Sequence, residues 1–255
     1  MKHFRPQSRP KKNMLLVGRA AILQALSEGQ AIDRIYLQKN APAALQQELR
    51  QATAKTTVPL NYVPVEKLNG FNVGDHGGCV ALRSRVQYQD LQEVISWVVD
   101  KGEAPLFLIL DGVTDIRNIG GIARTAWSMG VHALIIPDKG VGALNEDAIL
   151  TSAGALEEIP VCRVGSLMKA VDELRLNGIR VLASEMEAKA PIFDVNFREP
   201  VAIVMGGEER GINSALLKIC DEQFRIPMPS GFESLNVSVA TGMILYEAMK
   251  QRVTS

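Results

Sequence analysis

The feature that most constrains this fold is a series of short, nearly continuous apolar runs separated by helical stretches. They fall at 106–110, 133–136, 159–164, 179–183 and 201–205, the first reading Leu-Phe-Leu-Ile-Leu. Runs this short and this uniformly apolar predict strands buried on both faces, and their alternation with helices predicts a parallel sheet covered on both sides. The intervening helices are expected at 91–99, 119–129, 146–153, 167–176 and 214–219. A further edge-like strand is expected at 222–226 and a closing helix at 237–251.

Upstream, a second pattern reads as a small α/β unit. A helix is expected over 19–27, a strand over 32–37, a helix from 42 to 52, a strand over 58–63, a helical turn at 65–68 and a strand over 77–82. The chain therefore divides into a basic, unstructured tail at 1–13, the small unit at 14–83, a linker at 84–89 and a larger domain at 90–255. A length of 255 residues suits two domains.

Composition narrows the function classes. Formal net charge is zero, yet residues 1–27 carry Lys2, Arg5, Arg9, Lys11, Lys12 and Arg19 and no acid. Such an arm is either a solubilising tail or a contact for nucleic-acid phosphates. The 3 cysteines are scattered without a CxxC pair, and the 3 histidines lack metal-ligand spacing. No disulfide framework and no metal site are expected. The basic N-terminus has no apolar run behind it, and no stretch approaches the length of a membrane span. These features read as a cytoplasmic protein with no membrane partner. Trp97 and Trp127 sit among helical apolar positions and read as core.

Open α/β sheets bind ligands beyond the carboxyl ends of their strands, and three polar clusters fall at such ends. Asn118-Ile-Gly-Gly-Ile-Ala-Arg124 follows the 106–110 run, Gly206-Gly-Glu-Glu-Arg-Gly211 follows 201–205, and Ser234-Leu-Asn-Val-Ser238 precedes the last helix. The turn after the first strand has neither the GxGxxG spacing nor a Walker A loop, which argues against a pyrophosphate cofactor. Taken singly, Asn118 reads as a helix cap, Glu208 as part of a solvated turn, and Ser234 and Asn236 as caps. Arg124 escapes this reading, because its fork of donors suits a phosphate.

Together the three clusters resemble the SpoU, or TrmH-like, branch of the SPOUT superfamily of RNA methyltransferases. The resemblance rests on Asn118-x-Gly120-x-x-x-Arg124, Gly206-x-Glu208-x-x-Gly211 and Ser234-Leu-Asn236-Val-Ser-Val-Ala240. Upstream, Gly18-Arg-x-Ala-x-x-x-Ala25-Leu26 and His76-Gly-Gly78 are similar to the RNA-binding domain of large-subunit rRNA methyltransferases, itself resembling kink-turn-binding ribosomal proteins. The resemblance implies an α/β domain with a C-terminal deep trefoil knot, a homodimer, S-adenosyl-L-methionine as cofactor and a ribose 2′-hydroxyl as acceptor, most closely a guanosine of 23S rRNA.

The same resemblance implies roles. Arg124 would fix the target phosphate and stabilise the developing oxyanion, because an arginine that stays charged is a poor base. Asn118 and Glu208 would orient it, and Ser234 and Asn236 would position ribose or backbone. Met205, Gly206, Gly207, Ile226, Met228 and Leu235 would line the cofactor pocket. Arg19, Lys39, Arg83 and Arg85 would touch RNA phosphates. Two alternatives stay open: a tRNA ribose methyltransferase, and a catalytically silent RNA-binding assembly factor.

Overall fold

The computed structural model describes residues 14–54, 56–141, 144, 146–229 and 234–253. The tail at 1–13 lies outside them. The chain divides into two compact units, Met1–Arg85 and Val86–Ser255.

In the first unit the elements are β1 (Leu15–Val17), α1 (Gly18–Ser27), β2 (Ile32–Gln38), α2 (Ala43–Thr53), β3 (Leu60–Val63), α3 (Val65–Asn69) and β4 (Cys79–Arg83). Its four strands run in the order β1-β4-β2-β3. β4 is antiparallel to both neighbours, and β2 pairs β3 in parallel. The apolar stripe of α1 and the inner positions of β2 and α2 close one core around Ile22, Ile35, Leu37 and Leu49.

The second unit opens with β5 (Tyr88–Gln89) and α4 (Leu91–Asp100). It continues through β6 (Leu106–Asp111), α5 (Ile116–Ser128), β7 (Ala133–Pro137), α6 (Glu146–Thr151), α7 (Ala155–Glu158) and β8 (Val161–Val164). The remainder is α8 (Leu167–Leu176), β9 (Arg180–Ser184), β10 (Ala190–Pro191), β11 (Val201–Gly206), α9 (Ser214–Ile219), β12 (Glu222–Arg225) and α10 (Val237–Val253). The eight strands form one sheet in the order β10-β12-β9-β11-β6-β7-β8-β5, with every pairing parallel.

The period of two explains the continuous apolar runs. Along β6, Leu106, Leu108 and Leu110 enter one core and Phe107 and Ile109 the opposite one. Along β11, Val201, Ile203 and Met205 join the first core, and Ala202 and Val204 the second. Helices cover both faces, so positions 106–110 of β6 and 201–205 of β11 are apolar throughout.

Three expectations need correction. The stretch at 84–89 is not a free linker throughout: Val86 is 1 % exposed within the core, and Tyr88–Gln89 pairs β8. The strand at 222–226 is not the edge, because β10 lies outside it. Trp97 and Trp127 are 48 % and 47 % exposed rather than core. The buried stripe of α4 is Leu91, Val94, Ile95 and Val98, and that of α5 runs through Ile119, Ile122, Ala123 and Ala126. Each tryptophan falls just outside its stripe. Lys101 Nζ sits 3.5 Å from the Trp97 ring centroid instead. Among the described residues, no helix is long and apolar enough to cross a membrane.

Candidate active site

From β6 the chain proceeds outward to β7 on one side, while β11 leads to β12 on the other. Strand order therefore reverses between β6 and β11, and a crevice is expected beyond their carboxyl ends. Gly206 pairs with Asp111 at the last register position. The Asp111 carbonyl accepts the Gly207 N–H at 2.9 Å, and its carboxylate accepts the Asn213 N–H at 2.6 Å. The loop closes on itself through Gly211 N–H to Gly207 O at 2.9 Å. Glycine is dictated by close approach: a Cβ on Gly206 would lie 2.4 Å from Gly211 C, and one on Gly207 2.2 Å from Gly112 O.

Asp115, not Asn118, caps α5, accepting the Arg117 N–H at 2.8 Å. The Arg117 guanidinium beside it, helped by that N–H, holds the Asp115 carboxyl below the usual range despite partial burial. Asn118 thus lies inside the first turn with its side chain free for other partners. Its Nδ2 donates to Glu208 Oε1 at 3.1 Å. Asn236 Nδ2 donates to the same oxygen at 2.5 Å and to Asn118 Oδ1 at 3.1 Å. Asn236 Oδ1 accepts the Ser238 N–H at 2.9 Å, so this residue caps α10 as well. A backbone N–H can only donate, and this fixes the orientation of the Asn236 amide. One side chain thus caps the helix and binds Glu208.

Beside this triangle lies a cavity of about 220 Å³. Met205, Gly206, Gly207, Ile226, Met228 and Leu235, the six residues expected at a cofactor site, all line it, as do Glu208 and Ser234. Ser184, Glu185 and Met186, which end β9 and follow it, line it too. These three residues belong to none of the three polar motifs, although their place after an apolar run is a usable signal. Arg124 is not brought into the triangle or the cavity wall. It is exposed on α5, and its side chain makes no hydrogen bond or ion pair among the described residues. On the same helix, Gly121 and Thr125 face α10 near Ser238 and Gly242.

This geometry has known counterparts. Residues 105–246, more than half of the chain, match the model of the SpoU rRNA Methylase family. The chain belongs to that family. Residues 15–89 match the RNA 2'-O ribose methyltransferase substrate binding domain, so the first unit is the substrate-binding domain of a SpoU-type RNA methyltransferase. A relative from Ralstonia nicotianae, 23S rRNA (guanosine-2'-O-)-methyltransferase RlmB, is 35 % identical over 245 residues, covering 94 % of this chain and 97 % of its own. The putative TrmH family tRNA/rRNA methyltransferase YacO of Bacillus subtilis is 31 % identical over 237 residues, covering 93 % and 95 %. The structure of the SpoU methyltransferase AviRb from Streptomyces viridochromogenes in complex with the cofactor AdoMet matches with a TM-score of 0.60 at 25 % identity, over 94 % of this chain and 91 % of that one.

In the SpoU substrate-binding domain, the register divides the basic residues expected to touch RNA. Val17 pairs Val80 and Leu37 pairs Cys79, so Arg19 and Lys39, which follow Val17 and Leu37, share one end of the sheet with His76-Gly77-Gly78. Arg83 pairs Ile32 at the opposite end, with Arg85 just beyond. At about 3.3 Å per residue the two ends lie roughly 20 Å apart. Arg19 is tied to Glu48, donating from Nη2 at 2.6 Å. The His76 ring accepts the Gly78 N–H on Nδ1 and faces Asn69 Oδ1 with Nε2, both at 3.1 Å. These bonds fix the loop beside Lys39.

Proposed function

We propose that this SpoU-type enzyme transfers a methyl group from S-adenosyl-L-methionine to the 2′-hydroxyl of a guanosine ribose in 23S rRNA. The observation that carries the reading is the convergence of Asn118, Glu208 and Asn236 beside a cavity lined by Met205, Ile226, Met228 and Leu235. The donor set suits the cofactor: apolar side chains for the adenine plane, with Glu208, Ser234 and backbone groups of the glycine loop for its polar parts. When bound, the cofactor supplies an electrophilic methyl on a sulfonium that departs as a neutral thioether.

The chain's own residues supply alignment, which contributes much of the acceleration in such a transfer. Asn118 and Asn236 hold the Glu208 carboxylate through one of its oxygens, leaving the other for substrate. Arg124, whose side chain has no partner among the described residues, binds the phosphate of the target nucleotide and stabilises negative charge as the 2′-hydroxyl releases its proton and its oxygen attacks. The guanosine and 23S assignment draws its support from the RlmB relative.

The chain path of the second unit we infer to be the SPOUT trefoil knot, a reading supported by the backbone crowding at Gly206 and Gly207. We further propose that the enzyme works in the cytoplasm as a homodimer. On α10, Val239, Met243 and Tyr246 are 48 %, 47 % and 57 % exposed at i, i+4 and i+7, and Trp127 is exposed on α5, which packs against α10. A second copy would cover this apolar face, and light scattering reads the mass directly.

The deciding experiment maps 2′-O-methyl marks after incubating the purified chain with S-adenosylmethionine and 23S rRNA or tRNA transcripts. A guanosine mark on 23S rRNA is expected. Marks on tRNA alone overturn the substrate, and absence of cofactor binding by calorimetry overturns the enzyme.

A further inference from the structure

We infer that Glu185 is the specificity residue for the cofactor's sugar, its carboxylate accepting hydrogen bonds from the vicinal ribose hydroxyls. This rests on assigning the cavity to S-adenosylmethionine. Glu185 follows β9 and lines the cavity between Ser184 and Met186. Its backbone is locked, because its N–H donates to Phe224 O at 2.8 Å and Ser184 pairs with Phe224 across β12. Ala183 pairs with Val204, so continuing the register by two residues sets Glu185 level with Gly206, at the floor of the glycine loop.

The side chain is half-buried, and one oxygen, Oε1, accepts the Met186 N–H at 3.0 Å. No cation among the described residues pairs with it. The other cavity carboxylate, Glu208, already accepts two amide donors and is tied to the Asn118–Asn236 side. An ionised carboxylate only accepts, so the lone pairs of Glu185 that Met186 does not use are open to donors from a ligand in the cavity. The cofactor offers three kinds of donor: the sugar diol, the α-ammonium and the 6-amino group at the far edge of adenine. Glu185 adjoins Met186, part of the same apolar lining as Ile226 and Met228, which suits adenine. The group attached directly to adenine is the ribose, and a strand-end acid meeting a ribose diol is the arrangement that open α/β sheets use for nucleotides.

The test is calorimetry on the full chain without RNA, using S-adenosylhomocysteine and 5′-methylthioadenosine, which keeps the diol and lacks the amino acid. Glu185→Gln preserves an acceptor for Met186 and is expected to weaken both ligands by the same factor, about 10- to 100-fold. Loss for S-adenosylhomocysteine alone moves Glu185 to the ammonium and overturns the inference, as does no loss for either. The wild-type chain gives a second measurement free of folding effects. It should bind the 2′-deoxy form of S-adenosylhomocysteine about tenfold or more weakly than the ribose form, and equal affinity overturns the inference. A wild-type chain that binds none of these ligands overturns the assignment of the cavity itself.

Discussion

Asn236 donates its side-chain amide to Glu208 at 2.5 Å while accepting the Ser238 backbone N–H at 2.9 Å. The start of α10 and the carboxylate of the glycine loop are therefore set by one residue. Asn236→Asp keeps a capping acceptor but faces Glu208 with a second carboxylate. Two carboxylates at hydrogen-bond distance resist joint ionisation, and one takes up a proton more readily. Turnover is expected to fall about 10²-fold near pH 8 and to recover in part towards about pH 6 as that proton restores a bond. Single-turnover methylation across this range checks it. A profile parallel to wild type would remove the Asn236–Glu208 contact from the mechanism.

Arg124 stands apart from the cavity wall, which separates its effects. Arg124→Ala should lower turnover at least about 10²-fold with cofactor affinity unchanged. Stability should stay within about 0.5 kcal/mol, because the side chain is exposed and has no partner among the described residues. Near-normal turnover would exclude the proposed role.

Gly207 tests the close backbone approach. An added Cβ would sit 2.2 Å from Gly112 O, a backbone atom that cannot rotate away. Gly207→Ala is expected to destabilise the second unit by about 3 kcal/mol and to abolish cofactor binding, measured by urea unfolding and calorimetry. Wild-type stability with intact binding would show that the loop is free to relax.

Much of this fold is legible in the sequence because physics leaves few options. Leu106 to Leu110 had to be apolar at every position, since alternate residues enter opposite cores. The two tryptophans were misread because residue type does not decide a position at the margin of a helical stripe. At the site, Glu208 and Asn236 stand out as polar residues at element boundaries. Their joint bond to Asn118 was not legible, since it spans 90 and 118 residues and depends on the strand order, which sets β11 beside β6. Glu185 gave no motif, because its position follows from the register of β9 with β11 and β12.

Acid should loosen the junction of β9 with the segment entering β12 through Asp221. Burial raises its carboxyl, but Arg175, donating at 2.7 Å, and the Val181 N–H, also at 2.7 Å, more than offset that and hold it below the usual range. A group depressed in the folded state contributes stability that is present above its unfolded value, about 3.9. That contribution is lost as pH falls through the lower folded value. Asp221→Asn should cost about 1–2 kcal/mol at neutral pH, a deficit that shrinks as pH drops below about 4. Urea titrations of both proteins at several pH values read this convergence, and a pH-independent deficit would assign the loss to packing.

Arg252 fastens the end of α10 to the loops before β6 and β11. It donates to Ala104 O at 2.6 Å, Pro105 O at 3.0 Å, Phe197 O at 2.7 Å and Glu199 O at 2.8 Å. Burial pulls its guanidinium down to about 10, which still leaves it charged at neutral pH. Lysine offers three donors at a single point and cannot match a planar fork that reaches four carbonyls. Arg252→Lys should therefore recover little of the loss in Arg252→Ala, expected at about 2–4 kcal/mol, because carbonyls in a partly buried setting lose a charged donor. Both variants should keep wild-type cofactor affinity below their melting temperature, since Arg252 does not line the cavity. Thermal melts paired with calorimetry separate the two effects: full rescue by lysine would mean that charge alone, rather than the fork, holds the helix in place.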